Sequence, residues 1–347
     1  MNLSDRINAF SFLGKEIKIF INQLNTSEVE GKYLGLMTAV EQSFYHNGWF
    51  TKVEVMRALD GISLFLTEAE LNNWVKDYAE TFNNASEKSI GIVMAGNIPL
   101  VGVHDFLTVL IAGFNAQVKM AGDDKLLLPA LLGLLENDFP ELKTQVKLVD
   151  RLVDFDAVIA TGSNNTARYF ESYFSKVPNI IRKNRTSIAV LNGEESKEDL
   201  ELLGSDIFHF YGLGCRNVSK VYIPEELNTD KLFEALLPYQ HVTESKKYMN
   251  NYMYHQTLFL MNNDNILDNG FVVFKEDEKL HSPLGVLFIE RYSDIRKLEA
   301  QLTKLKDQIQ CIVGKGYLAF GNAQCPRLID YADDVNTLDF LAHLHRN

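Results

Sequence analysis

The strongest candidate for chemistry is a cysteine set between glycines and basic residues. Cys215 follows Gly212 and Gly214, and Arg216 and Lys220 come after it. Glycines expose the backbone beside the sulfur, and nearby positive charge favours the thiolate, which is the reactive form of the side chain. Cys215 is therefore a candidate nucleophile. The structural alternative is a small, inert core residue, which is a common role for an isolated cysteine.

Two short loops offer groups that hold anions, each where a predicted strand gives way to a helix. In residues 95–99, Asn97 can aim its amide N–H at an oxyanion, as acyl transfer requires. In residues 161–165, Gly162 allows close backbone approach, and Ser163 can begin a helix whose positive end binds phosphate. This loop lacks a full G-x-G-x-x-G fingerprint. Both Asn97 and Ser163 are also ordinary helix-capping residues, so a structural role stays open for each.

The elements around these loops are predicted from the apolar pattern. Up to about residue 86 the chain is helical, with T-x-x-E capping boxes at Thr51 and Thr67. Strands are predicted at 89–96, 116–120, 145–152 and 157–161, and helices at 101–112, 126–135 and 165–175. This alternation predicts βαβ units and a mostly parallel sheet covered on both faces. The region therefore indicates a Rossmann-like nucleotide-binding layer.

A second α/β segment begins near residue 186. Its predicted strands cover 187–191, 221–223, 271–274, 285–289 and 309–313, and a charged helix covers 294–308. The last stretch has no clear periodicity before Leu338. With 347 residues, the chain is long enough for about two domains.

Composition excludes several classes of partner. Asp and Glu number 46 against 34 Lys and Arg, so the net charge of −12 repels nucleic acid and anionic membrane surfaces. The three cysteines show no CxxC pair and no metal spacing, which predicts a reducing compartment and no metal site. The longest run without charged residues, 89–104, is shorter than the ~20 residues of a membrane span. No signal peptide is recognisable, and we expect a cytoplasmic protein.

The order of these motifs resembles the LuxC-type acyl-CoA reductases, relatives of the fatty-acid reductase subunit of bacterial bioluminescence within the aldehyde dehydrogenase superfamily. The resemblance spans nearly the whole chain, and it rests on residues 47–51, 96–99, 212–217, 320–326 and 330–333. The sequence GLGCRN at 212–217 is its most specific part. The resemblance implies an aldehyde dehydrogenase-like α/β fold with a Rossmann-like cofactor domain and an α/β catalytic domain.

This interpretation divides the chain into three segments. Residues 1–185 form a helical layer and the NAD(P)-binding domain, and residues 186–315 form the catalytic domain. Residues 316–347 pack back on the cofactor domain or on a partner subunit. The resemblance also implies a homo-oligomer.

The resemblance assigns roles to five residues. Cys215 matches the nucleophile that takes the acyl group, and Asn97, with the backbone N–H of Cys215, matches the oxyanion donors. Lys119 falls where the adenosine ribose of the cofactor is contacted. Gly162 and Ser163 match the pair that meets the pyrophosphate at a helix N-terminus.

Three departures from the superfamily pattern refine this assignment. Residues 180–187 stand where oxidative aldehyde dehydrogenases carry a Glu base, and they contain no carboxylate, so hydrolysis of an acyl-enzyme is disfavoured. Residues 279–283 replace the segment whose Glu holds the nicotinamide ribose, which leaves Glu278 as the candidate for that contact. Gly122 replaces the acidic residue that selects against a 2′-phosphate, which favours NADPH, with NADH as the alternative.

Together these features predict a reductase that converts acyl-CoA, or an acyl-carrier thioester, to a fatty aldehyde with hydride from NADPH. Two alternatives stay open. One is a CoA-acylating aldehyde dehydrogenase that runs in the oxidative direction. The other is an acyl-transfer or interaction protein that does not use a cofactor.

Overall fold

The computed structural model describes residues 1–26 and 29–346, which form two compact units. The first consists of Met1–Lys183 and Arg327–Asn347, and the second of Asn184–Pro326. The expected boundary at residue 315 differs from this division, since residues 316–326 belong to the second unit. Residues 27, 28 and 347, which the expected domains include, lie outside the described residues.

The first unit begins with a helical layer. Its helices are α1 Leu3–Thr26, α2 Leu34–His46, α3 Lys52–Phe65, α4 Glu68–Val75 and α5 Ala79–Phe82. The two predicted capping residues are confirmed, because the Thr51 and Thr67 side chains accept hydrogen bonds from Glu54 N and Glu70 N. These bonds satisfy backbone donors that the first turn of a helix leaves without intrahelical partners.

A five-stranded parallel sheet follows this layer. Its strands are β1 Ser89–Val93, β2 Asn115–Lys119, β3 Val146–Leu148, β4 Ala157–Thr161 and β5 Asn179–Arg182, in the order β3-β2-β1-β4-β5. The helices among them are α6 Val103–Ile111, α7 Leu127–Leu135, α8 Pro140–Thr144 and α9 Asn164–Tyr173. The predicted Rossmann-like layer is confirmed. Strand β1 lies between β2 and β4, so the strand order reverses there, and ligands of such sheets bind at the carboxyl edge beside that point.

The second unit contains a six-stranded sheet in the order β11-β6-β7-β10-β9-β8. Its strands are β6 Thr186–Val190, β7 Val218–Pro224, β8 Ile266–Asp268, β9 Val273–Glu276, β10 Val286–Tyr292 and β11 Ile309–Gly314. Strands β8 and β9 are antiparallel, and the other neighbours are parallel. Its helices are α10 Lys197–Phe208, α11 Asp230–Leu236, α12 Lys246–Met261 and α13 Ile295–Lys304. The sequence analysis did not predict α10 to α12, although a capping box at Ser196 and Asp199 starts α10.

A buried ion pair holds the end of the chain on the first unit. Arg182 Nε and Nη2 donate to Asp105 Oδ2 and Oδ1 of α6 at 2.9 and 2.6 Å. The same guanidinium donates to Ala332 O at 2.5 Å and to Thr337 Oγ1 at 2.9 Å, where α14 Thr337–Arg346 begins. Burial alone raises the pKa of Asp105, but the Arg182 charge and its hydrogen bonds lower it below its usual value. The pair therefore joins the sheet, α6 and the C-terminal segment.

Among the described residues, no helix combines the length and the apolar character needed to cross a bilayer.

Replacing Arg182 tests this anchor. We expect Arg182→Leu to lower the free energy of unfolding by about 3–5 kcal/mol, because it leaves the Asp105 carboxylate buried without its counter-charge. The double variant Arg182→Leu/Asp105→Leu should lose less of the free energy of unfolding than Arg182→Leu alone. Urea unfolding provides the measurement.

The matched control is Lys315→Met, which breaks the exposed ion pair between Lys315 and Glu194. Exposed pairs contribute under about 1 kcal/mol, so its unfolding midpoint should stay close to that of the wild type. A loss at Arg182→Leu no larger than at Lys315→Met would contradict the anchoring role.

Candidate active site

Four of the five predicted site residues lie at one edge of the first sheet. Asn97 follows β1, Lys119 ends β2, and Gly162 and Ser163 follow β4. Because β1 pairs in parallel with both β2 and β4, the carboxyl ends of these strands lie side by side. The structure thus brings these four residues to one edge of the first unit. The fifth residue, Cys215, belongs to the second unit.

The loop that carries Asn97 is held on both sides. Asn97 is exposed, and the carbonyl of Gly96 before it accepts a hydrogen bond from Asn47 Nδ2 at 3.1 Å. After it, the backbone N–H of Leu100 donates to Asp124 Oδ2 at 2.7 Å, and Leu100 has a left-handed φ of 58°. These bonds fix the backbone orientation around the Asn97 side chain.

The structural alternative for Asn97 was the cap of the following helix. Helix α6 begins at Val103, and Gly102 occupies its N-cap position. Asn97 is therefore not the N-cap of α6, and its side chain is exposed. Sequence reasoning did not identify Asn47 and Asp124 as supports. The signal for Asn47 was its place in residues 47–51, which carried part of the family resemblance.

The candidate phosphate-binding site combines the N-terminus of α9 with Gly162, which directly precedes the N-cap residue Ser163. Ser163 is the N-cap of α9, and its Oγ accepts a hydrogen bond from Thr166 N at 3.3 Å, so its structural role is confirmed. A Cβ on Gly162 would lie 3.1 Å from both Thr166 Cβ and Phe170 Cε2, so the glycine allows close packing against α9. The positive end of α9 at the exposed Ser163 suits an anionic group.

Lys119 presents its ammonium group at the same edge. The side chain is exposed, and Nζ donates to the carbonyl of Asp150 at 2.8 Å, which uses one of its three donors. A Cβ on the nearby Gly122 would meet no atom of the described residues within 4 Å. The space beside Gly122 therefore has room for an additional substituent on a ligand.

Cys215 lies on an unusual connection between α10 and β7. Phe210, Tyr211 and Gly212 have left-handed φ angles of 51°, 56° and 80°. Such a conformation costs on the order of 1–3 kcal/mol for a residue other than glycine and persists only where surrounding contacts determine it. Cys215 itself is exposed, which excludes the alternative of an inert core residue.

Hydrogen bonds define the turn that carries the sulfur. The N–H of Asn217 donates to Gly214 O at 3.0 Å, and the N–H of Gly214 donates to Asn217 Oδ1 at 2.8 Å. The buried hydroxyl of Ser187 donates to the carbonyl of Cys215 at 3.0 Å. The backbone on either side of the thiol is thus held by two side chains, neither of which the sequence analysis identified.

The two basic residues that follow Cys215 in the sequence, Arg216 and Lys220, both have partners in the second unit. Arg216 donates from Nε to the carbonyl of Ala323. Lys220 is fully buried in β7, where it forms an ion pair with Glu290 and donates to Glu278 O at 2.8 Å. The prediction that Lys220 supplies positive charge to the thiol is therefore wrong, because that charge is neutralised inside the unit.

Asp206, in the last turn of α10, organises the segment after β11. Its carboxylate accepts hydrogen bonds from the N–H groups of Gly321 and Ala323 at 2.7 and 2.9 Å. Burial raises its pKa to about 6, although these bonds and the Arg216 charge act in the opposite direction. Within the described chain, no group of three His, Cys, Asp or Glu side chains is placed to hold a metal ion.

Several solved aldehyde dehydrogenases are similar in fold to this chain. Aldehyde dehydrogenase 21 from Physcomitrella patens, solved with the reaction product succinate, has a TM-score of 0.66 at 13% identity, covering 99% of this chain and 84% of its own. Indole-3-acetaldehyde dehydrogenase, solved with NAD+, has a TM-score of 0.61 at 10% identity, with coverage of 89% and 71%. AldH of Staphylococcus aureus, in its substrate-bound state, has a TM-score of 0.55 at 17% identity, with coverage of 87% and 74%.

The chain thus has the expected aldehyde dehydrogenase-like fold, with a Rossmann-like unit and a second α/β unit. No family model and no curated protein matches the sequence.

The half-buried Asp124 predicts how the free energy of unfolding depends on pH. Burial raises its pKa to about 6, and its Oδ1 has no hydrogen-bond partner among the described residues. Between about pH 4 and 6 the unfolded chain has released this proton while the folded protein retains it, so the free energy of unfolding falls as the pH rises. We expect Asp124→Asn to remove this loss, which amounts to about 2 kcal/mol between pH 4.5 and 7.

Urea unfolding of both proteins at these two pH values measures the difference. Asp123→Asn, which removes the exposed neighbouring carboxylate, controls for the change in net charge. If the free energies of unfolding of Asp124→Asn and the wild type differ by the same amount at both pH values, burial does not raise the pKa of the Asp124 carboxyl group.

Proposed function

We propose that the protein reduces an acyl thioester, carried by CoA or by an acyl carrier, to an aldehyde with hydride from NADPH. The observation that carries the proposal is the exposed Cys215 on a turn fixed by Asn217 and Ser187. A nucleophile for acyl transfer must be accessible and must have backbone donors of defined direction beside it. The aldehyde dehydrogenase-like fold and the family resemblance support the assignment.

In the first step the thiolate of Cys215 attacks the thioester carbonyl. A bond forms between its sulfur and the acyl carbon, and negative charge moves to the carbonyl oxygen. We assign the backbone N–H of Cys215 and the Asn97 amide as donors to this oxyanion. The carbon–sulfur bond to the carrier then breaks, and the carrier leaves as a thiol after taking up a proton. The acyl group remains on Cys215 as a thioester.

The carboxyl edge of the first sheet fits a nicotinamide dinucleotide. We assign the N-terminus of α9 at Ser163, with Gly162 beside it, to the pyrophosphate, and Lys119 to the adenosine ribose. When bound, this group supplies the hydride that the acyl carbon needs. The room beside Gly122 suits a 2′-phosphate, so we assign NADPH, with NADH as the alternative.

The fate of the acyl-enzyme depends on whether water is activated. Residues 180–187, which stand where oxidative aldehyde dehydrogenases carry a Glu base, contain no carboxylate, and Arg182 among them is committed to its ion pair with Asp105. A guanidinium in that setting cannot act as a general base, so hydrolysis to the acid is disfavoured. The same residues also serve a CoA-acylating dehydrogenase that runs toward the thioester, and the ratio of metabolites sets the direction.

Mass spectrometry of the acyl-enzyme tests this function. Incubation with an acyl-CoA in the absence of NADPH should place one acyl group on Cys215, because nothing reduces the intermediate. Cys215→Ser should retain no acyl thioester. Cys325, also exposed, and Cys311 are internal controls, and an adduct on either of these instead would overturn the assignment.

Removing the Asn97 amide should slow catalysis without disturbing the fold. One oxyanion donor contributes about 3 kcal/mol to the barrier, so Asn97→Ala should lower kcat by about 10²-fold. Steady-state aldehyde formation measures the effect. Asn73→Ala, at an exposed position of α4, is the matched control and should retain full activity. Equal rates for Asn97→Ala and the wild type would remove Asn97 from the mechanism.

A further inference from the structure

The buried side chain of Asn217 joins the end of a helix to the turn that carries Cys215. The last carbonyls of any helix lack partners within the helix. Here Asn217 Nδ2 lies 3.1 Å from Asp206 O, 3.2 Å from Ile207 O and 2.8 Å from His209 O. An amide group has two protons, so these three carbonyls share them. Asn217 therefore replaces the missing donors at the end of α10.

The other half of the same side chain faces the turn. Asn217 Oδ1 accepts the N–H of Gly214 at 2.8 Å, and its own backbone N–H closes the turn onto Gly214 O at 3.0 Å. Cys215 lies between these two residues in the chain. The Asn217 side chain thus bonds to the end of α10, to His209 before the turn and to Gly214 within the turn.

The left-handed backbone conformation of Phe210 and Tyr211 needs support from surrounding contacts. Phe210 and Tyr211 are consecutive left-handed residues, and neither side chain favours that region of φ. Asn217 holds the backbone on both sides of them, at His209 and at Gly214. The left-handed pair is therefore maintained by a fixed distance between the end of α10 and the turn.

We propose that Asn217 is a positioning residue that sets the direction of the Cys215 backbone N–H, and so governs acylation of the sulfur. The catalytic consequence rests on the function proposed above, but the effect on the loop does not. The position requires two donors and one acceptor on a short side chain, which is the inventory of asparagine. An aspartate of the same size would place a carboxylate against three carbonyl oxygens.

Two reactions of the Cys215 sulfur distinguish a role of Asn217 in positioning the backbone N–H from a role in the stability of the fold. Acylation by an acyl-CoA passes through an oxyanion, whereas alkylation by iodoacetamide does not. In Asn217→Asp and Asn217→Ser we expect acylation of Cys215 to slow at least ~10-fold, because small displacements of a catalytic group have effects of this size. Alkylation of Cys215 should change less than about threefold. Asn250→Asp, an exposed position on α12, gives the same change of charge and should leave both rates unaltered.

Equal acylation in Asn217→Ser and the wild type would overturn the proposal. A parallel rise in the alkylation of Cys325 would show general unfolding of the second unit and would also overturn it. Hydrogen exchange of the peptide covering 209–217 provides a readout that requires no substrate. Faster exchange confined to this peptide in Asn217→Ser supports the proposal, and unchanged exchange contradicts it. Absence of acylation in the wild type would instead reject the proposed function, and exchange would still decide the role of Asn217.

Discussion

The buried charge of Arg182 is the constraint on which the first unit depends. A guanidinium removed from water needs a counter-charge and acceptors for its remaining donors, and Asp105, Thr337 and Ala332 supply them. The carbonyl of Arg182 also accepts the N–H of Gly162 at 3.3 Å. One residue therefore links the phosphate-binding candidate, the helix that follows the Asn97 loop, and the C-terminal segment. This explains why the chain returns to the first unit after completing the second.

Both units support their exposed loops by the same physical means. A loop that must present backbone or side-chain donors to a ligand cannot be stabilised by burying its own apolar surface. In the first unit, Asn47 and Asp124 hold the loop of Asn97 through its backbone. In the second unit, Asn217 performs this role for the turn of Cys215. Buried polar side chains thus give these loops a defined shape while the candidate catalytic groups remain accessible.

The sequence predicted the parts of the fold that depend on local pattern. Buried parallel strands such as β1 and β4 are largely apolar runs. Thr51 and Thr67, each followed three residues later by Glu, mark the starts of α3 and α4. Strand β5 was missed because it has only two apolar residues, Ile180 and Ile181, between Asn179 and Arg182. The supports of the loops could not be predicted, since Asn47 bonds to a residue 49 positions away, and such pairings are set by tertiary packing.

The ion pair of Lys220 with Glu290 removes one of the two positive charges that the sequence analysis assigned to the surroundings of the Cys215 thiol. Proximity in sequence placed two cations beside Cys215, but Glu290 neutralises one of them within the sheet. Arg216 then remains as the adjacent cation in the chain, and its Nε is engaged by the Ala323 carbonyl. In the function proposed above, backbone N–H groups of defined direction stabilise the oxyanion, and the hydrogen bonds of Asn217 and Ser187 fix the turn that carries them.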